Sequence, residues 1–99
     1  MHVVVNHLTF RDPLDPDLFT AAQDDLVPAM RDVPGFDGMH VILASPTEAI
    51  LLIFGEDATT LDRIATEIGA PWMTANVVPL LASPPSRSLG PLIASSQYL

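Results

Sequence analysis

The stretch Phe36–Phe54, FDGMHVILASPTEAILLIF, holds two apolar runs separated by Ser45-Pro46-Thr47. Phe36–Ala44 is rich in residues that fit a pleated surface, and Glu48–Phe54 is almost continuously apolar. A short break containing proline between two such runs predicts an antiparallel hairpin. The unbroken EAILLIF run suits a strand covered on both faces.

The flanking segments supply the partners of this hairpin. Upstream, Asp15-Pro16-Asp17 opens a helix: Asp15 caps free amides, Pro16 fits the first turn and Asp17 suits the positive end of the dipole. Leu18, Ala22, Leu26, Met30 and Val33 then recur at helical spacing up to Pro34-Gly35. Pro28 is expected to bend this helix, because it has no N–H for the Asp24 carbonyl. Before it, His2–Phe10 is a β-branched run that reads as a strand. Val4, Asn6 and Leu8 share one face; Val3, Val5, His7 and Thr9 share the other. Downstream, Thr59 and Asp62 resemble a capping box, and Leu61, Ile64, Ala65 and Ile68 form a helical stripe. Gly69 and Pro71 predict its end. Trp72–Leu81 is read as the fourth strand, at a sheet edge because Pro79 cannot donate to a ladder. Ser83–Leu99 is read as an extended tail, with Leu92-Ile93-Ala94 a candidate for a short added strand.

The order β-α-β-β-α-β is the split βαβ, ferredoxin-like arrangement. The expectation is therefore an α+β fold: an antiparallel four-stranded sheet with two helices on one face, in a domain spanning 1–82, followed by the tail 83–99. The chain has 99 residues, 48% of them hydrophobic, and no cysteine. A domain of this size hides only about 60–65% of its unfolded surface. The open face of an apolar sheet needs a cover, and a second copy packed face to face supplies one, so a homodimer is expected with the charge-poor tail as a dimer arm.

Charge and patterning exclude several roles. The net charge is −8, with four arginines and no lysine, which argues against a nucleic-acid partner. The longest apolar runs fall far short of the roughly 20 residues of a membrane span. The N-terminus lacks the features of a signal peptide, so cytoplasm is the expected location. No pair of histidines or carboxylates has metal-ligand spacing, and no glycine-rich phosphate loop occurs. Asp24-Asp25 and Glu56-Asp57 read as solvated acids near helices.

Three segments carry a family resemblance: Val5-Asn6-His7-Leu8-Thr9-Phe10, the run Pro34-Gly35-Phe36-Asp37-Gly38-Met39-His40-Val41, and Gly69-Ala70-Pro71-Trp72 through Arg87-Ser88-Leu89-Gly90. With this element order they resemble the antibiotic biosynthesis monooxygenases, dimeric α/β-barrel proteins, and a small actinobacterial branch of that family in particular. The resemblance implies a homodimer with a pocket between sheet and helices in each subunit. It also implies oxidation of a phenolic or quinol-type substrate with no cofactor and no metal, the substrate being the source of electrons.

The candidate catalytic residues are Asn6, His40 and Trp72. Asn6, on an apolar face, either satisfies neighbouring backbone or points into a pocket. Trp72 is either a core filler with its N–H satisfied or an aromatic cavity wall. In haem-degrading relatives the tryptophan lies inside the second helix, so a strand position departs from them. Haem degradation there also uses a histidine in or after that helix, and none follows His40. His40 is either structural or a proton carrier, whereas His7 faces away from Asn6, toward the expected sheet–sheet contact. Leu8, Phe36, Phe54 and Arg87 are the candidate substrate-binding residues; Arg87, the lone charge in the last third, either pairs with an acid or covers a pocket mouth.

Three functions follow. The first is a cofactor-independent monooxygenase acting on a small aromatic or polyketide-like substrate. The second is a non-catalytic dimer that binds a small ligand or serves as an interaction module, favoured by the poverty of acid–base groups on apolar faces. The third, an isomerase or lyase, needs a general base that only a histidine or a cavity-facing acid supplies.

Overall fold

The computed structural model describes residues 1–96. Four strands, β1 (His2–Thr9), β2 (Phe36–Ser45), β3 (Glu48–Gly55) and β4 (Ser86–Pro91), form one antiparallel sheet in the order β2-β3-β1-β4. Helix α1 (Pro16–Arg31) and a second helical arm pack on one face. That arm comprises α2 (Ala58–Ile64), a π-helical turn (Ala65–Gly69) and α3 (Ala70–Asn76). This is the expected ferredoxin-like α+β fold, with both middle strands of the sheet paired on each side.

Helix α1 is built as its sequence indicates. The Asp15 carboxylate accepts from the Asp17 N–H at 2.9 Å, Pro16 lies in the first turn, and Ala22, Leu26 and Met30 are the buried stripe. Pro28 is accommodated within the helix on its exposed side, where the carbonyl it leaves free belongs to another exposed residue, Asp24. Pro34-Gly35 then makes the corner into β2. Gly35 has φ +90, and a Cβ there would meet the Thr60 hydroxyl oxygen at 2.8 Å, so both backbone and space demand glycine.

Two readings of the second half are corrected. The residues 72–81 are not a strand: they hold α3 and a short 3₁₀ turn (Val78–Leu80), and the fourth strand is Ser86–Pro91, inside the segment expected to be a tail. The helix does not end at Gly69 because a π turn intervenes, with the Ala70 N–H donating to the Ala65 carbonyl five residues back. The hydrogen-bond register is thus reset just before Pro71. The proline enters the first turn of a new α segment, where its missing N–H costs nothing. Leu92-Ile93-Ala94 forms no strand; the Leu92 N–H donates to the Met1 carbonyl at 2.9 Å, and Ile93 is almost fully exposed. The remainder of the expected arm, residues 97–99, lies outside the described residues.

The cap of α2 is also earlier than the Thr59/Asp62 reading. Asp57 is the N-cap, its carboxylate accepting from the Thr60 N–H at 2.8 Å. The Thr60 backbone N–H, then its hydroxyl, hold the Asp57 carboxyl below the ordinary aspartate range. A depressed carboxyl contributes stability above its unfolded pKa, about 3.9, and loses it as the pH falls through the folded value. Asp57→Asn is therefore expected to melt below the wild type at pH 7. That gap should close in acid, and a gap that does not change across a pH series of thermal melts would contradict the assignment.

The core lies between sheet and helices. Val4, Leu26, Met30, Leu51, Ile53, Leu61 and Ile64 dominate one cluster; Leu8, Phe10, Ala49 and Val77 form another, and Trp72 packs against both. The pairing register puts Val3, Val5 and His7 of β1, Ile50, Leu52 and Phe54 of β3, and His40 and Ile42 of β2 on the opposite face. No helix among the described residues covers that face. No helix among the described residues is long and apolar enough to cross a membrane.

Candidate functional site

Between the sheet and the two helical arms lies a cavity of about 320 Å³. Val4, Leu51 and Ile53 form its sheet wall, Leu26 and Met30 its α1 wall. Leu61, Ala65, Gly69, Ala70 and Met73 form the wall contributed by the second arm. The π turn thus shapes this wall, a placement typical of π bulges. Small residues at 65, 69 and 70 keep side-chain volume out of the space.

Three polar side chains line the cavity: Asn6, Thr74 and Arg87. Asn6 and Arg87 are direct partners across the β1–β4 ladder, and the register turns them to the helix side with Val4 and Leu89. The Asn6 amide has no side-chain hydrogen-bond partner among the described residues. Arg87 is the only charged residue in the lining, and its guanidinium lies 3.6 Å from an Asp62 carboxylate oxygen outside it. Alternation along β1 was enough to point Asn6 inward. Its meeting with Arg87 depends on β4, which was misplaced in the sequence reading.

The other candidates are elsewhere. Trp72 lies on α3, so it belongs to the second helical arm after all, and its indole N–H donates to Asp25 on α1 at 3.1 Å. With Leu8 it borders a purely apolar void of about 30 Å³ beside the cavity, large enough for little more than water. His40 and Phe54 meet edge to face, ring centroids 5.8 Å apart, on the opposite side of the sheet from Asn6. Phe36 lines an open groove between α1 and β2 and packs against the main core. Asn6, Arg87 and, next door, Leu8 and Trp72 are therefore grouped on one side of the sheet; His40 and Phe54 are not with them.

Sequence reading missed Thr74, Met73 and Gly69, because it ended the helix too early. The signal was present: Leu61, Ile64, Ala65, Ile68, Trp72 and Met73 continue one stripe through the Gly-Ala-Pro interruption. Among the described residues no cluster of three or more His, Cys, Asp or Glu is placed to hold a metal ion.

No protein-family sequence profile and no curated protein sequence matches the chain. Solved structures do. One is SnoaB, a cofactor-independent oxygenase from Streptomyces nogalater: TM-score 0.73 at 13% identity, over 96% of this chain and 95% of that one. The monooxygenase ActVA-Orf6 of Streptomyces coelicolor, in complex with nanaomycin D, matches at TM-score 0.72 and 20% identity, over 95% and 92% of the two chains. NE2512 of Nitrosomonas europaea, of unknown function, matches at 0.70 and 20%, over 95% and 90%. The chain therefore has the fold of antibiotic biosynthesis monooxygenases, a fold that cofactor-independent oxygenases share with proteins of unknown function.

Proposed function

We propose that this protein is a cofactor-independent monooxygenase that oxidises a small phenolic or quinol-type aromatic in the cavity lined by Asn6 and Arg87. The observation that carries the reading is an apolar cavity whose three polar side chains include two cross-strand neighbours that are donors, one of them an amide with no hydrogen-bond partner among the described residues. Its volume is at the low end of the range for small-molecule pockets, which suits a compact ring system.

The chemistry needs little from the protein. A phenol oxidised by dioxygen to a quinone takes one oxygen atom as the new carbonyl. The other leaves as water, with both electrons and both hydrogens drawn from the substrate. Arg87 favours the phenolate, the electron-rich form that reacts, by placing a fixed positive charge beside the oxygen. Asn6 donates to the same oxygen and orients the ring, while Val4, Leu26, Met30 and Met73 exclude water. Purified protein is expected to consume dioxygen with 1-naphthol, giving 1,4-naphthoquinone and water, faster than the uncatalysed reaction. Asn6→Ala should lower that excess rate about 100-fold, the scale of losing one oriented donor. An unchanged rate in Asn6→Ala, with the fold intact by circular dichroism, would sink the assignment.

The working unit in this reading is a homodimer formed through the open sheet face. Val3, Val5, Ile50, Leu52 and Phe54 make that face apolar although no helix among the described residues covers it. A second reading, a non-catalytic dimer that binds a small ligand, draws support from the absence of any His, Asp or Glu in the cavity lining. The two part on turnover: binding of 1-naphthol without dioxygen uptake favours the second.

A further inference from the structure

Arg87 brings a permanent charge to an otherwise uncharged cavity, and its surroundings use that charge poorly. Among the described residues its one carboxylate contact is Asp62, at 3.6 Å, with the two side chains 41% and 63% exposed. A guanidinium carries five N–H donors in a planar fork, and an exposed pair of this length holds them weakly. On the cavity side, the cross-strand neighbour Asn6 presents an amide with no hydrogen-bond partner among the described residues. Two donors, one cationic, are thus cross-strand neighbours in the lining of an apolar space, where Thr74 is the other polar side chain among the described residues.

We infer that the cavity selects a planar aromatic carrying a carboxylate beside its hydroxyl, and that Asp62 sets this selectivity by competing with the ligand for Arg87. The proposal rests on the cavity reading above and deepens it. A carboxylate matches the guanidinium fork with two parallel hydrogen bonds, leaving the adjacent hydroxyl for the Asn6 amide. A neutral phenol offers the fork one oxygen only. Asp62 lies outside the lining, so an arriving anion replaces its attraction for Arg87 without entering its space. Asp62 is thereby a specificity-determining residue that acts through Arg87, with no contact of its own to the aromatic ring.

The test compares two ligands with the same ring, 1-hydroxy-2-naphthoate and 1-naphthol, titrated calorimetrically into the full-length protein. The naphthoate is expected to bind about tenfold tighter or more, the scale of a hydrogen bond to a charged group. Asp62→Asn should raise the ratio of the two affinities about two- to fivefold, the fold-change that corresponds to an exposed ion pair. In an Arg87→Gln background the preference for naphthoate should vanish, and adding Asp62→Asn should leave the ratio unchanged. A ratio that rises in that background too would mean a long-range charge effect and overturn the role of Asp62. Naphthol binding as well as naphthoate would overturn the carboxylate selectivity while sparing the cavity reading. Neither ligand binding would overturn both.

Discussion

In the face-to-face homodimer proposed above, Leu52→Asp is expected to leave a folded monomer. Leu52 sits at the middle of β3, between Val5 of β1 and His40 of β2, on the sheet face that no helix among the described residues covers. In a two-fold interface every substitution occurs twice, so two carboxylates would be taken from water with no partner. Each uncompensated charge costs about 3–5 kcal/mol when a close contact buries it. Every 1.4 kcal/mol is a tenfold change in affinity, so the loss amounts to about four orders of magnitude or more. Within a protomer the same aspartate would face solvent, and the Val4/Leu51/Ile53 core would be untouched. Sedimentation analysis over a concentration series reads the result, with Gln23→Asp on exposed α1 as the control. A wild-type monomer at high micromolar concentration, or a Leu52→Asp dimer, would refute the face-to-face assembly.

The first half of the chain was legible because each element carries its own punctuation. Asp15-Pro16-Asp17 starts α1, Pro34-Gly35 closes it with a glycine at positive φ, and Ser45-Pro46-Thr47 separates β2 from β3. The second half was not, because its punctuation is overridden by packing. Gly69 and Pro71 are strong local stop signals, yet Trp72, Met73 and Val77 have apolar surface to bury against α1 and β1. A π turn reconciles the two, one residue of register against a long apolar stripe. With α3 occupying 70–76, the sheet edge beside β1 is filled by the polar Ser86–Pro91 segment. Its exposed, low-propensity composition does not advertise a strand, and it is held by the β1 ladder instead.

The candidate site divides along the same line. Asn6 was found by alternation, a rule that needs only the strand to be regular. Arg87 was picked out by its isolation in charge, and its true neighbour emerges only from the β1–β4 register. His40 was grouped with Asn6 as chemistry, but pairing opposite Leu52 puts it on the other face. One-residue parity decides which side of a sheet a side chain serves, and no residue type announces it.

Trp72 tests whether the pocket neighbours the core or is part of it. Trp72→Ala is expected to destabilise the fold by about 3 kcal/mol, at the lower end for a large aromatic because the side chain is only half-buried. For a domain near this size that lowers the melting temperature by about 12 °C or more. The loss has two parts: a hole where the indole joins both core clusters, and the broken tie from α3 to Asp25 on α1. Trp72→Phe restores most of the volume but not the N–H, and should recover all but about 1 kcal/mol, the worth of one hydrogen bond. Oxidation separates structure from chemistry. The indole borders the 30 Å³ void and not the cavity lining, so Trp72→Phe should keep kcat and KM within about threefold of wild type while melting only slightly lower. A large fall in kcat with an unchanged melting temperature would instead place the indole against the substrate, which requires the wall between void and cavity, Leu26, Leu51 and Met73, to open when substrate enters.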